Sequence, residues 1–184
     1  MKRLLQFIVF TLGILCISAP AFAERSYDGV FALNGTQSFT TQVLDKTERN
    51  GGFGVGFRGG FRRDWWGMFM EIQYVSWSGY AALSRNYQSS FNAGIGAEWL
   101  YFDHRLRTAV SFGTAILAKE APPDPVGTMG IYLDVVPAGY VFRPASNLNI
   151  VITPITLFVN VPSLKGIPLL VIQYRTVVSI EFSL

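Results

Sequence analysis

The chain has little of the chemistry that most enzymes and metal sites need. Its 184 residues contain one cysteine and one histidine, so they offer neither a disulfide framework nor a cluster of Cys or His ligands for a metal. Only 15% of the residues are charged, with 15 basic and 12 acidic side chains, and this near balance gives no indication of nucleic-acid binding. No phosphate-binding loop, dinucleotide fingerprint or catalytic triad is present. We therefore expect no cofactor, no metal and no nucleic-acid partner.

The N-terminus predicts a signal peptide. A basic start at residues 2–3 precedes an apolar run over residues 4–17, and residues 21–23 supply the small-x-small pattern that signal peptidases recognise. We predict cleavage after residue 23, which makes residues 1–23 the signal and residues 24–184 the mature domain. A lipoprotein signal requires a small residue before its cysteine, and Leu15 precedes Cys16, so this alternative is disfavoured.

No second run reaches the roughly 18 apolar residues of a membrane-spanning helix. Instead, hydrophobicity alternates with a period of two, which is typical of strands that present one face to lipid. The clearest case is the C-terminus, where even positions from Leu170 to Leu184 are almost all apolar or aromatic and Gln173, Arg175 and Glu181 stand opposite. We predict an all-β fold, an eight-stranded antiparallel up-and-down transmembrane β-barrel, with strands over about 26–39, 52–62, 66–75, 91–101, 106–118, 128–142, 148–161 and 169–184.

The connections between these strands alternate in length. Residues 62–64, 102–105 and 143–147 form short turns, whereas residues 40–50, 77–90 and 119–126 form longer loops. This alternation is typical of outer-membrane barrels, which have short periplasmic turns and longer external loops. A lipocalin-like soluble barrel also has eight strands, but its apolar residues face inward, opposite to the expectation here.

The predicted alternation places charged side chains of both signs inside the barrel. Unpaired buried charges are costly, so we expect these groups to form a paired network that closes the interior. An eight-stranded barrel leaves no room for a wide aqueous pore. The predicted inward charges are Arg58, Arg62, Glu71, Glu98, Asp134, Arg175 and Glu181.

Apolar residues predominate near the external ends of the last two strands. Ile155, Leu157, Leu169 and Val171 predict an apolar cavity in the outer-leaflet half of the interior, with room for one hydrocarbon chain. Side chains that simply fill this space are the alternative. Prolines at 137 and 154 interrupt two strands and indicate weakened pairing there.

Several segments resemble the lipid A palmitoyltransferase family. Residues 64–67 and 75–77 are similar to a strand of that family that ends in Asp-Ser-Trp, and residues 51–54 resemble its preceding glycine-rich strand. Residues 93–98 are similar to the strand whose glycine floors the family's hydrocarbon pocket, and Gly96 matches that glycine. The resemblance implies an outer-membrane barrel that takes an acyl chain from a phospholipid. Combined with the apolar residues above, it predicts a pocket formed by Val75, Gly96, Ile155, Leu157, Leu169 and Val171.

The residues that carry the family's catalysis are missing. Val75 occupies the position of its aspartate, and the single histidine, His104, lies in a predicted periplasmic turn. Ser76 remains, but a serine without a base is a weak nucleophile. We therefore expect a non-catalytic barrel with a hydrocarbon pocket. A divergent acyltransferase that uses Lys119, Glu120 or Asp124, and an adhesive barrel that uses loop 40–50, are the alternatives.

The expected surroundings follow from this fold. We expect a monomer in the outer membrane of a Gram-negative bacterium, exported by its signal peptide. Its expected partners are phospholipid, lipopolysaccharide and the barrel assembly machinery, since the alternating C-terminal strand resembles the signal which that machinery recognises.

Overall fold

The computed structural model describes residues 27–43, 47–78, 88–119, 126–161 and 170–184. The predicted signal peptide lies outside these residues. Within them the chain forms eight antiparallel strands, each paired with its neighbours in sequence, and β8 pairs with β1 to close the barrel. The predicted fold class is confirmed. The strands are β1 (Asp28–Val43), β2 (Thr47–Arg63), β3 (Trp66–Ser78), β4 (Ser89–Tyr101), β5 (Leu106–Lys119), β6 (Val126–Ala145), β7 (Leu148–Val161) and β8 (Leu170–Ser183).

The barrel has two unlike ends. At one, which we call the turn end, β2–β3, β4–β5 and β6–β7 are joined by short turns, and the Leu184 amide donates to the Gly29 carbonyl at 2.8 Å. At the other, the loop end, the connections run through residues 44–46, 79–88, 120–125 and 162–169. The first predicted loop, 40–50, was too long, because β1 and β2 continue their pairing to Val43 and Thr47.

The turn end contains the described non-glycine residues with left-handed backbone conformations. Asp64 has a φ of 47°, and Phe102, Asp103 and His104 follow one another at 54°, 54° and 63°. Left-handed conformations cost L-residues roughly 1–2 kcal/mol each, so the β4–β5 turn is locally unfavourable and is maintained by the pairing of its two strands.

Alternation along the strands separates an apolar exterior from a polar interior. On β3 the side chains of Met68, Met70 and Ile72 point outward, while Phe69 and Glu71 point inward. The same order holds on the other strands, apart from local shifts in register. The pairing of β6 with both β5 and β7 shifts around Pro137, and the pairing of β7 with β8 shifts between Thr153 and Thr156. A further shift between β6 and β7 lies next to their turn. A β-bulge adds one residue to a strand and reverses which residues face inward beyond it.

Candidate functional site

A group of five charged side chains fills the interior toward the turn end, and we call it the Arg–Glu cluster. Each of the five is 6% exposed or less. Its members come from four strands: Arg58 and Arg62 from β2, Glu98 from β4, Arg107 from β5 and Glu181 from β8.

Glu181 is the centre of this cluster. Its carboxylate accepts hydrogen bonds from the guanidinium groups of Arg58 and Arg107, and from Arg62 Nη2 at 3.1 Å. Arg62 also reaches Glu98, with Nη2 2.7 Å from Oε1. Three arginines thus share two carboxylates, and hydrogen bonds to charged groups of this kind are roughly twice as strong as neutral ones.

Inward glycines make space for these long side chains. A Cβ at Gly67 would lie 3.1 Å from Glu98 Oε1, so a larger residue there would push on the carboxylate. A Cβ at Gly60 would meet the backbone of Met68 and Phe69. The glycine-rich inner face of β2 therefore lets this strand and β3 approach while Arg58 and Arg62 extend inward.

A second charged group, which we call the central cluster, lies in the middle of the barrel. It consists of Glu71, Asp134 and Arg175, with Arg175 Nη1 3.6 Å from Asp134 Oδ2. Glu71 Oε1 accepts hydrogen bonds from the Ser111 hydroxyl at 2.5 Å and from the Tyr132 hydroxyl at 3.0 Å. The Arg–Glu cluster has one excess positive charge, and the central cluster one excess negative charge, so the two are complementary.

Arg175 is buried against neutral groups as well as Asp134. Its Nη1 donates to Gln73 Oε1 at 2.7 Å and its Nε to Gln173 Oε1 at 2.9 Å. Its guanidinium carbon lies 3.5 Å from the centroid of the Phe158 ring, which stacks on Tyr132. A cation over an aromatic face in a desolvated site is attracted by about 2 kcal/mol. Arg175 therefore joins the charged middle of the barrel to the apolar layer above it.

The structure places every charge predicted inside the barrel in one of these two clusters. Sequence reasoning missed Arg107, which is 3% exposed. The signal was available, because Arg107 lies in phase with the inward Ser111 and Ala115 of β5. Arg107 was overlooked because it lies next to the β4–β5 turn, at the very start of the strand.

An apolar layer closes the interior toward the loop end, and all of its side chains are 4% exposed or less. Val75 and Val171, two residues of the predicted hydrocarbon pocket, belong to it. Leu169 lies outside the described residues. The layer consists of Val75, Trp77, Ala115, Leu117, Tyr132, Phe158 and Val171.

Two pocket residues were predicted to face inward, and this was wrong. Ile155 and Leu157 lie on the outer face and are 58% and 37% exposed. Asn149, Val151 and Thr153 of β7 point inward, and unbroken alternation would have continued to Ile155 and Leu157. The bulge after Thr153 adds one residue, so Thr156, Phe158 and Asn160 face inward instead.

Gly96 faces inward but lies away from the apolar layer. A Cβ on it would press against the Phe69 ring and the Ser111 side chain, in the middle of the barrel. Val75 is paired with Ser90, near the loop end of β4. Gly96 therefore makes room for Phe69, and the structure does not bring it together with Val75 and Val171.

The only serine suggested for catalysis is far from the single histidine. Ser76 lies on the outer face near the loop end, where its strand partners are Phe53 and Ser89. His104 lies in the β4–β5 turn at the opposite end. In the described part of the chain, no three His, Cys, Asp or Glu side chains are grouped as metal ligands would be.

A cavity of about 40 Å³ lies between the two charged clusters. Arg58 and Arg107 of the Arg–Glu cluster line it, together with Glu71 and Asp134 of the central cluster. Several side chains of its wall carry a buried polar atom without a hydrogen-bond partner, namely Asn34 Oδ1, Arg107 Nε, Asp134 Oδ1, Thr153 Oγ1 and Thr156 Oγ1.

Comparison with known proteins places the fold among small outer-membrane barrels. The sequence matches no protein-family model and no curated protein. The structure is similar to Neisserial surface protein A, with a TM-score of 0.56 and 12% identity over 82% of this chain and 96% of that one. It is equally similar to Ail, the attachment invasion locus protein of Yersinia pestis, in complex with the heparin analogue sucrose octasulfate. That match has a TM-score of 0.56 and 13% identity, and it covers 84% of this chain and 99% of Ail.

These similarities show the fold, an eight-stranded barrel of the outer-membrane type. They do not show the palmitoyltransferase family in particular. Within the described residues there is also no helix with the length and hydropathy needed to cross a membrane.

Proposed function

We propose that the chain is an integral outer-membrane protein whose barrel is a non-catalytic membrane anchor, closed inside by its own side chains. The observation that carries this proposal is the inverted polarity of the barrel. Leu33, Phe39 and Val55 are exposed on the outside by 60%, 64% and 67%, while Arg58 and Glu181 are buried inside. An exterior of this kind requires a hydrocarbon environment, because soluble proteins seldom expose apolar surface around their whole circumference.

Aromatic side chains at the turn end support the membrane assignment. Trp65, Tyr101 and Phe102 are exposed there, close to the charged side chains of Asp64 and Asp103. Aromatic girdles of this type lie at the interface of the hydrocarbon layer with water. We infer that the turn end faces the periplasm, as expected for a chain exported by the predicted signal peptide.

The filled interior supports an anchor in preference to a channel. The Arg–Glu cluster and the apolar layer both cross the space enclosed by the strands, and an eight-stranded barrel is just wide enough to be filled in this way. We infer that the protein is a monomer embedded in phospholipid and lipopolysaccharide, inserted by the barrel assembly machinery.

Membrane fractionation and conductance test this proposal together. The protein should be found in outer-membrane fractions and should migrate differently on gels before and after heating. Reconstituted in a planar bilayer, it should show no steady conductance. Recovery of the mature chain from the soluble fraction, or stable channels of porin size, would contradict the proposal.

A hydrocarbon pocket near the loop end is the second candidate, and the apolar layer is the observation that favours it. An acyl chain would have to displace side chains such as Phe158 and Leu117, which are 1% and 0% exposed. Mass spectrometry of lipids that co-purify with the folded barrel tests this. If an acyl chain binds, Leu117→Trp should abolish its stoichiometric recovery, whereas Ile116→Trp on the outer face should not. Absence of a stoichiometric lipid from the parent protein would eliminate the pocket.

A divergent acyltransferase is the third reading, and its test is lipid A itself. We expect lipid A from cells that overexpress the protein to keep its mass, because Ser76 has neither a histidine nor an acid as a strand partner. A gain of one acyl chain that is lost in Ser76→Ala would establish the enzyme and refute the non-catalytic anchor. A gain that persists in that variant would place the chemistry elsewhere in the chain.

A further inference from the structure

We propose that the cavity between the two charged clusters is a binding site for ordered water, with room for about three molecules that bridge the clusters. A buried water needs roughly 10–15 Å³ of accessible space together with two to four polar partners. The cavity measures about 40 Å³, which meets the first condition for about three waters.

The polar partners are also present. Asn34 Oδ1, Thr153 Oγ1 and Arg107 Nε are buried atoms of the cavity wall without a hydrogen bond. Buried polar groups in folded proteins are almost always satisfied by protein or by ordered water, and an unsatisfied group costs about 1–3 kcal/mol. The three atoms come from β1, β7 and β5, so one small group of molecules between these strands would satisfy all of them.

The charges around the cavity favour a neutral occupant. Arg58 and Arg107 in the wall would repel a cation, whereas Glu71 and Asp134 in the same wall would repel an anion. Water is a neutral dipole that donates to the carboxylates and accepts from the guanidinium groups. The small volume excludes a larger polar solute.

The position of the cavity explains how the two clusters interact. Their opposite excess charges attract, and Arg58 and Glu71 are partners in the pairing of β2 with β3. None of the ion pairs among the described residues joins the two clusters, and the cavity lies against both of these side chains. Water-mediated hydrogen bonds are nearly as favourable in enthalpy as direct ones. The inferred waters therefore complete a polar network that runs along the barrel from Glu181 to Arg175.

Filling the cavity tests the proposal. Ala109 lines it and is 5% exposed, so Ala109→Leu should occupy the space with aliphatic carbon. Ala93→Leu on β4 adds the same atoms to the partly exposed outer side and is the matched control. The measurement is the transfer of magnetisation from water to backbone amides, recorded by NMR on the folded barrel in micelles.

The parent protein should show long-lived water contacts at amides of cavity residues such as Ser111 and Ser179. These contacts should be lost in Ala109→Leu and retained in Ala93→Leu. Their absence from the parent, or their persistence in Ala109→Leu, would overturn the proposal. If Ala109→Leu does not fold, Thr153→Val removes one of the three named polar partners at nearly constant shape and should reduce the same signals. A crystal structure of the parent soaked in rubidium bromide that shows an anomalous peak in the cavity would identify an ion and also refute bound water.

Discussion

Replacing Glu181 with glutamine should destabilise the barrel more than any other single exchange in the Arg–Glu cluster. The carboxylate is fully buried and accepts hydrogen bonds from three arginines. Glutamine keeps the shape, but it replaces one acceptor oxygen with a donor that faces guanidinium groups. Arg58, Arg62 and Arg107 would then share Glu98 alone, and the net charge of the cluster would rise from +1 to +2.

The size of the effect follows from the burial. Removing one partner of a buried ion pair costs about 3–5 kcal/mol, because the remaining charge stays buried without compensation. Glu181 has three partners, so we expect about 4–5 kcal/mol for Glu181→Gln. Asp64→Asn is the matched control. Its carboxylate is 78% exposed and lies 3.8 Å from Arg63, and exposed pairs contribute at most about 1 kcal/mol.

Reversible urea unfolding of the barrel in lipid vesicles, followed by tryptophan fluorescence, measures both variants. A double variant, Glu181→Gln with Arg107→Gln, sharpens the test because it returns the charge of the cluster to +1. Its loss of stability should be clearly smaller than the sum of the two single losses. A cost below about 1 kcal/mol for Glu181→Gln, or full additivity in the double variant, would refute the cluster as the central ionic contact of the interior.

Three further predictions concern the apolar layer, the close strand contacts and the outer surface. Phe158→Ala should cost about 3–5 kcal/mol in urea unfolding, while Ile155→Ala on the outer face costs clearly less; equal costs would contradict the bulge that separates their directions. Gly113→Ala should impair folding, since its Cβ would meet the backbone of the neighbouring strand, whereas Gly51→Ala should not, because a Cβ there meets nothing within 4 Å. Folding yields by heat-shifted gel migration measure this pair, and equal yields would refute the close approach. Ile72→Arg should destabilise the protein in vesicles by about 2–4 kcal/mol and Ile72→Leu very little; a tolerated arginine would contradict lipid contact at mid-strand.

The fold could be predicted from the sequence because a period of two is a local signal. The alternation within one strand predicts which side chains point outward and which point inward. The opposite directions of Met70 and Glu71 therefore follow from the sequence of β3 alone. In a membrane, the backbone N–H and C=O groups at the edges of a sheet must be hydrogen-bonded. Eight such segments meet this requirement when the last strand pairs with the first and the sheet closes into a barrel. The ends of the strands are harder to predict, because outward residues near the loop end need not be apolar and the alternation is then lost. For this reason the predicted β1 and β2 are shorter than the observed strands.

The contacts inside the barrel could not be predicted in the same way. Arg58 and Glu181 are 123 positions apart, and they meet because β8 returns to β1 and closes the sheet. The alternation shows that both point inward, but the stagger between strands decides which inward groups lie at one level. Two charged clusters with a cavity between them are therefore a property of the closed barrel and its register.

The bulge on β7 can be predicted in part. Its signal lies in the sequence of that one strand, but it is recognised only if the polar residues of the strand are required to face inward. Polar residues on this strand change parity: Asn149 and Thr153 are odd, whereas Thr156 and Asn160 are even. If polar side chains must face inward along the whole strand, one residue has to be added between Thr153 and Thr156, because the inward positions are odd before this point and even after it. Pro154 is a suitable place for the added residue, since proline has no backbone N–H to donate to the neighbouring strand. The apolar residues at 155, 157 and 159 then face outward, as Ile155 and Leu157 do in the structure. The inward placement of Ile155 and Leu157 thus came from extending one parity through a proline. Once the polar residues are required to face inward on both sides of Pro154, Phe158 becomes the inward apolar residue of this half of β7, and it belongs to the apolar layer.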